Sequence, residues 1–139
     1  MKTKLFTVEE ADQMLPQVLG FLKDLRVSRD RIEQLEKEKA VEELCWLQAD
    51  GTVSPKAKDL MGRLQEEQKQ QAAAFEKLLK QMTLLGAQLK DLDQGLVDFF
   101  TNHGEELVYL CWKEGEDRIR YWHDLKSGFD GRRSLEELE

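Results

Sequence analysis

Residues 84–100, LLGAQLKDLDQGLVDFF, hold the change of pattern that decides the fold. Up to Leu85 the apolar side chains recur three and four apart, the period of one helix face. Beyond Gly86 aromatic and β-branched residues gather into short alternating runs, the period of a strand. Gly86 is suited to a left-handed helix stop, and Asp93-Gln94-Gly95 is turn chemistry. The chain therefore reads as α+β: a long antiparallel helical hairpin followed by a small antiparallel β-meander.

Upstream of this switch, Leu60, Met61, Leu64, Phe75, Leu78, Leu79, Met82 and Leu85 mark one helix, started by Ser54 as cap and Pro55 as first residue. Before it, Val18, Phe21, Leu22, Leu25, Ile32, Leu35, Val41, Leu44 and Leu47 mark another, opened by a Thr7/Glu10 capping box. Pro16 lacks a donor and its ring crowds the preceding turn, so the expectation is a short helix over about 8–14, then the long one. Ala49 to Val53 connects the two long helices, which makes them an antiparallel coiled-coil hairpin with residue i opposite about 103 minus i. Ile32 then faces Gln71, and Gln68 and Gln71 weaken the seam. Phe21 beside Leu22, and Leu78 beside Leu79, make the stripe wider than a two-helix seam buries. The rest of the chain or a second copy is therefore expected to cover it, with Trp46 a local packing anchor or, if exposed, a partner contact at the tip.

Downstream, the strand runs are Ala87 to Lys90, Leu96 to Phe100, Leu107 to Lys113 and Arg118 to His123. Alternation sends Val97, Phe99, Val108, Leu110, Trp112, Ile119 and Tyr121 to the core. It gathers Asp98, Tyr109, Cys111, Lys113, Arg120 and Trp122 on the other face, with Asp98 and Arg120 as a cross-strand pair. Aromatics beside an arginine and a carboxylate suit a ligand or partner surface. Phe129, flanked by Gly128 and Gly131, and the pair Arg132 and Arg133 add a turn-rich segment suited to an anion. The tail begins with Ser134 and Glu137, a second capping-box pattern.

His123 and Cys111 invite a metal or nucleophile reading with Asp98 and His103 nearby. No ligands are paired at zinc-site spacing, however, and alternation sets His123 and Cys111 on opposite faces. The expectation is no metal and no cofactor, with Cys45 and Cys111 as free thiols.

Composition bounds the rest. At 139 residues the chain is expected to form a single domain, residues 1–86 helical and 87–139 β-rich. A net charge of −7 opposes sequence-independent binding to nucleic acid. No apolar run reaches the roughly 20 residues of a membrane span, and MKTKLFTVEE lacks the apolar stretch of a secretion signal, so a cytoplasmic protein is expected.

The segments KLFTVEEADQMLP (4–16), GLVDF (95–99), VYLCWKEGE (108–116), IRYWHDLKSGF (119–129) and the following GR together resemble the prokaryotic family catalogued as domain of unknown function 2203. The resemblance spans nearly the whole chain. It implies a long helical hairpin with a compact β region in small stand-alone proteins, and it carries over no catalytic residues. Its motifs single out Asp98, Cys111, Trp112, Gly115, Glu116, Trp122, His123, Gly128 and Phe129. Together these features read as a non-enzymatic interaction or adaptor module. It would self-associate through its hairpin as a homodimer, or bind a protein partner, with Asp98, Tyr109, Cys111, Arg120, Trp122, His123, Phe129 and Arg132 as candidate binding residues. The alternative is a small ligand- or metal-binding protein, catalytic or not, built on Asp98, Cys111 and His123.

Overall fold

Thr7 and Glu10 exchange the two hydrogen bonds of a capping box, the Thr7 amide to Glu10 Oε1 at 3.0 Å and the Glu10 amide to Thr7 Oγ1 at 3.1 Å. From there helix α1 runs Val8–Trp46. Ser54 Oγ accepts the Ala57 amide at 3.2 Å and opens helix α2, Pro55–Leu84. The structure, a computed structural model, describes residues 4–46 and 51–137 without the side chain of Trp46. Leu47, the start of the loop at Ala49, the last two residues of the tail and the contact expected of Trp46 lie outside the described residues. Among the described residues no helix is long and apolar enough to cross a membrane.

The break expected at Pro16 does not occur: α1 is continuous and carries Pro16 inside it. Ala11, Leu15, Val18 and Leu22, on both sides of the proline, are all buried at helical spacing. Burial of that stripe outweighs the roughly 3 kcal/mol that an interior proline costs a helix. Among the described residues no separate short helix precedes the hairpin.

The chain forms two compact units that do not divide at Gly86: Met1–Lys23 with Leu79–Glu139, and Asp24–Leu78. In the second unit Leu25, Leu35 and Ala57 are buried. Ser28 is buried too, and its hydroxyl donates to the Gln71 carbonyl at 3.1 Å, while Arg31 donates to Glu67 Oε1 at 2.8 Å. Ser28, not Ile32, therefore stands against Gln71, so the pairing is displaced from the expected register by about one helical turn. A serine allows the close approach, and its hydroxyl finds an acceptor there, as a buried hydroxyl requires.

In the first unit Gly86 takes φ +97° after the end of α2, and its amide donates to Thr83 at 2.9 Å. A Cβ there would lie 2.5 Å from the Phe6 ring, so both the backbone and the packing require glycine. A five-stranded antiparallel sheet follows in the order β1 (Gln88–Asp91), β2 (Leu96–His103), β3 (Glu106–Lys113), β4 (Tyr121–His123) and β5 (Arg133–Ser134). One face carries Val97, Phe99, Thr101, Val108, Leu110, Trp112 and Trp122, all buried, and Phe6 packs edge-on against Phe99 at 5.1 Å.

β4 presents the faces opposite to those expected. Tyr109 pairs with His123, Leu110 with Trp122 and Cys111 with Tyr121. Residues directly opposite share a face, so Tyr121 and His123 join Cys111, while Trp122 joins the buried core. The error traces to Ile119, which is buried but lies before the strand, its amide held by Asp12 Oδ1 at 2.6 Å; alternation cannot be counted through it. The tail adds β5, which the sequence did not signal, and a short 3-10 turn, Leu135–Glu137. Ser134 Oγ takes the Glu136 amide at 3.3 Å, and the Trp122 indole donates to the Ser134 carbonyl at 3.1 Å.

Candidate metal centre

Three neighbouring strands bring Asp98, Cys111 and His123 together on the second face of the sheet. Asp98 on β2 pairs directly with Cys111 on β3, and His123 on β4 stands one pair further along, opposite Tyr109. One ligand-type atom from each residue lies within 4.8 Å of the others. All three side chains are buried, the residues being 2%, 2% and 3% exposed. The expectation that His123 and Cys111 point to opposite faces, and with it the ground for dismissing a metal site, is overturned.

The hydrogen bonds define the protonation chemistry. His123 Nδ1 lies 2.7 Å from the Asp124 carbonyl oxygen, which can only accept, so Nδ1 carries a proton and donates it. Nε2 faces Asp98 Oδ2 at 2.9 Å with one proton between them. The other carboxylate oxygen, Asp98 Oδ1, is fully buried and has no well-formed hydrogen bond among the described residues, the Cys111 thiol being the one weak donor beside the carboxyl. Burial pushes the Asp98 carboxyl above its ordinary value against the pull of His123, Cys111 and Lys90. Burial, followed by the charge of Asp98, pushes the Cys111 thiol up to about 12. Both ring nitrogens of His123 are engaged, one with the Asp124 carbonyl and one with Asp98, so His123 is not turned towards the Cys111 thiol as a base.

The cluster opens into a cavity of about 240 Å³ walled by Lys90, Tyr109, Leu125, Lys126, Ser127 and Phe129. Asp124 shapes one wall: its Oδ1 accepts the amides of Lys126 at 2.9 Å and Ser127 at 2.6 Å, turning the chain after β4. Tyr109 stacks on Phe100 at 4.7 Å and donates its hydroxyl to Gln88 Oε1 at 3.1 Å.

Of the other residues singled out from sequence, Phe129 lines the cavity. Arg120 does not pair with Asp98; it is exposed and bridges to Asp117 at 3.0 Å. Trp122 is buried on the opposite face of the sheet. Arg132 donates to both oxygens of Glu116 at 2.6 and 2.7 Å and lies 4.0 Å from the Tyr121 ring centre, a strut beside the site. His103 takes no part and packs against Trp122 at 5.3 Å. Sequence reasoning missed Lys90 and Lys126, which carry no signal beyond being lysines near a turn.

Comparison with known proteins places these features in a family rather than beside a characterised relative. No curated protein and no solved structure matches the chain. Residues 4–135 match the family model described as "Uncharacterized conserved protein (DUF2203)", and the chain belongs to that family.

Proposed function

We propose that the protein binds a transition-metal ion of the zinc class through Asp98, Cys111 and His123, leaving one coordination position open to the cavity. The observation that carries this reading is the buried Asp98 Oδ1, without a well-formed hydrogen bond, beside an imidazole and a thiol. A buried carboxylate oxygen without a strong donor costs free energy, and a cation in the cluster would offset that cost. The mixed oxygen, nitrogen and sulfur set suits zinc or cobalt rather than magnesium or calcium. Donation from His123 Nδ1 to a backbone carbonyl is the usual support of a ligating histidine, leaving Nε2 to face the ion. Three protein ligands with an open position are also the pattern of catalytic rather than structural zinc sites.

Metal analysis of tag-free protein after equilibration with zinc tests the reading. About one ion per chain is expected in the wild type, lost in Cys111→Ser and in His123→Ala. Equal metal content in all three proteins would remove the proposal.

A second reading, self-association through the hairpin, is favoured by Val27, Val41 and Leu44 of α1, which are 63%, 54% and 79% exposed. Size-exclusion chromatography with light scattering tests it, and a monomer at micromolar concentration rules it out.

A further inference from the structure

Resting on the metal reading, we infer that the open position takes the carboxylate of a small organic acid, drawn in by Lys90 and Lys126. Charge balance is the first argument. A divalent ion held by one carboxylate, one thiolate and a neutral imidazole is formally neutral, so the walls decide the charge of what enters. Those walls include two lysines, Lys90 and Lys126. The Lys90 ammonium meets only neutral oxygens, Gln88 Oε1 and Tyr109 Oη, each at 3.4 Å, and sits 4.5 Å from the Tyr109 ring centre. Among the described residues neither Lys90 nor Lys126 has a carboxylate within ion-pair distance. In a chain of net charge −7 with 28 acidic residues, two lysines outside any ion-pair contact, one of them acting at longer range on Asp98, form a local anion-attracting field beside the buried cluster.

Size and lining are the second argument. At roughly 30 Å³ per water, about 240 Å³ is on the order of eight waters, enough for an acid of benzoate size. Leu96, Leu125, Phe129 and the Tyr109 ring give the body of the acid apolar contact, which a bare inorganic oxyanion would not use. The acid's carboxylate would lie between the ion and the Lys90 ammonium, with its carbon skeleton towards Phe129.

The full chain loaded with cobalt tests this, because the thiolate-to-cobalt band first reports whether Cys111 ligates. Benzoate, benzamide and inorganic phosphate are then titrated separately. Benzoate is expected to shift the cobalt spectrum and to bind at least about tenfold more tightly than the neutral benzamide, a difference of about 1.4 kcal/mol. Lys90→Met and Lys126→Met, each loaded with cobalt in the same way, are expected to weaken benzoate about tenfold. A cobalt spectrum that benzoate leaves unchanged, or that benzamide shifts equally well, overturns this inference and leaves the metal site standing. Phosphate binding as tightly as benzoate overturns the organic-acid assignment. Failure to form the cobalt band removes both the metal reading and the inference built on it.

Discussion

Arg132 grips both oxygens of Glu116, at 2.6 and 2.7 Å, with its guanidinium packed 4.0 Å from the Tyr121 ring centre and 4.6 Å from that of Phe129. Glu116 also accepts the Lys113 amide at 2.7 Å, so one carboxylate ties the turn after β3 to the segment that walls the cavity. Both side chains are largely buried, at 11% and 20% exposure. Arg132→Met strands the carboxylate and is expected to cost about 2–3 kcal/mol. Arg132→Lys should lose part of the same amount, since an ammonium can meet the two oxygens as Nη2 does but cannot lie as a flat cation against both rings. Urea denaturation reads both, and a loss under about 0.5 kcal/mol in Arg132→Met would show that the strut is not holding the segment.

At the other end of the chain, the Thr7 amide, followed by the Thr7 hydroxyl, holds the Glu10 carboxyl below the usual glutamate range. A folded-state value below the unfolded one means that this carboxylate stabilises the helix start above the ordinary carboxylate range. That contribution is lost as pH falls through the lowered folded value. An NMR titration is expected to place Glu10 below the usual glutamate range in the wild type and to return part of that shift in Thr7→Ala, which keeps the amide but loses the hydroxyl and, with the cap, about 1 kcal/mol of stability. A wild-type midpoint in the usual glutamate range would show that the box does not form in solution.

What was legible from sequence was local. The Thr7 and Ser54 caps, the stop at Gly86 and the change of period after it depend on neighbours within a few residues, and each stands where the sequence set it. Pro16 was misread because its penalty is local while the compensation, burial of Ala11, Leu15, Val18 and Leu22, is tertiary. The candidate site was half legible. Asp98, Tyr109, Cys111, His123 and Phe129 were all singled out, but their convergence depends on the β3–β4 register. The irregular connection through Ile119 hides that register, and a shift of one residue moves every side chain to the other face. Lys90 and Lys126 had no periodicity to betray them, because a lysine on a cavity wall and one on a solvated face look alike in sequence.

The hairpin offers a graded test of packing. Leu25 is fully buried, Leu78 is half-buried and Val27 is 63% exposed. Leu25→Ala is expected to cost about 2–4 kcal/mol, Leu78→Ala clearly less, and Val27→Ala under about 0.5 kcal/mol. Had the pairing been the one expected from loop position, Leu25 and Leu78 would be partners and would lose similar amounts; the displaced register separates them. Thermal unfolding of the three variants decides, and equal losses for Leu25→Ala and Leu78→Ala would argue against the register seen here.

Asp98 and His123 belong to strands with all of β3 between them, yet their side chains meet at 2.9 Å on the face that carries Cys111. Adjacent strands stand about 4.8 Å apart, so both side chains reach across to meet, and both give up water to do so. A pair kept only for stability should tolerate no loss, whereas a pair kept to receive a cation should be replaceable while the ion is absent. Asp98→Asn provides an amide that donates to the Nε2 lone pair of the neutral ring, so the ion-free variant is expected to be as stable as the wild type or more so. Zinc at about a hundredfold excess over its dissociation constant should then stabilise the wild type by about 2.7 kcal/mol and leave Asp98→Asn unchanged. Scanning calorimetry with and without zinc separates the two accounts. If Asp98→Asn collapses stability without zinc and zinc leaves the wild type unmoved, the pair is an ordinary buried ion pair and the cavity beside it needs another explanation.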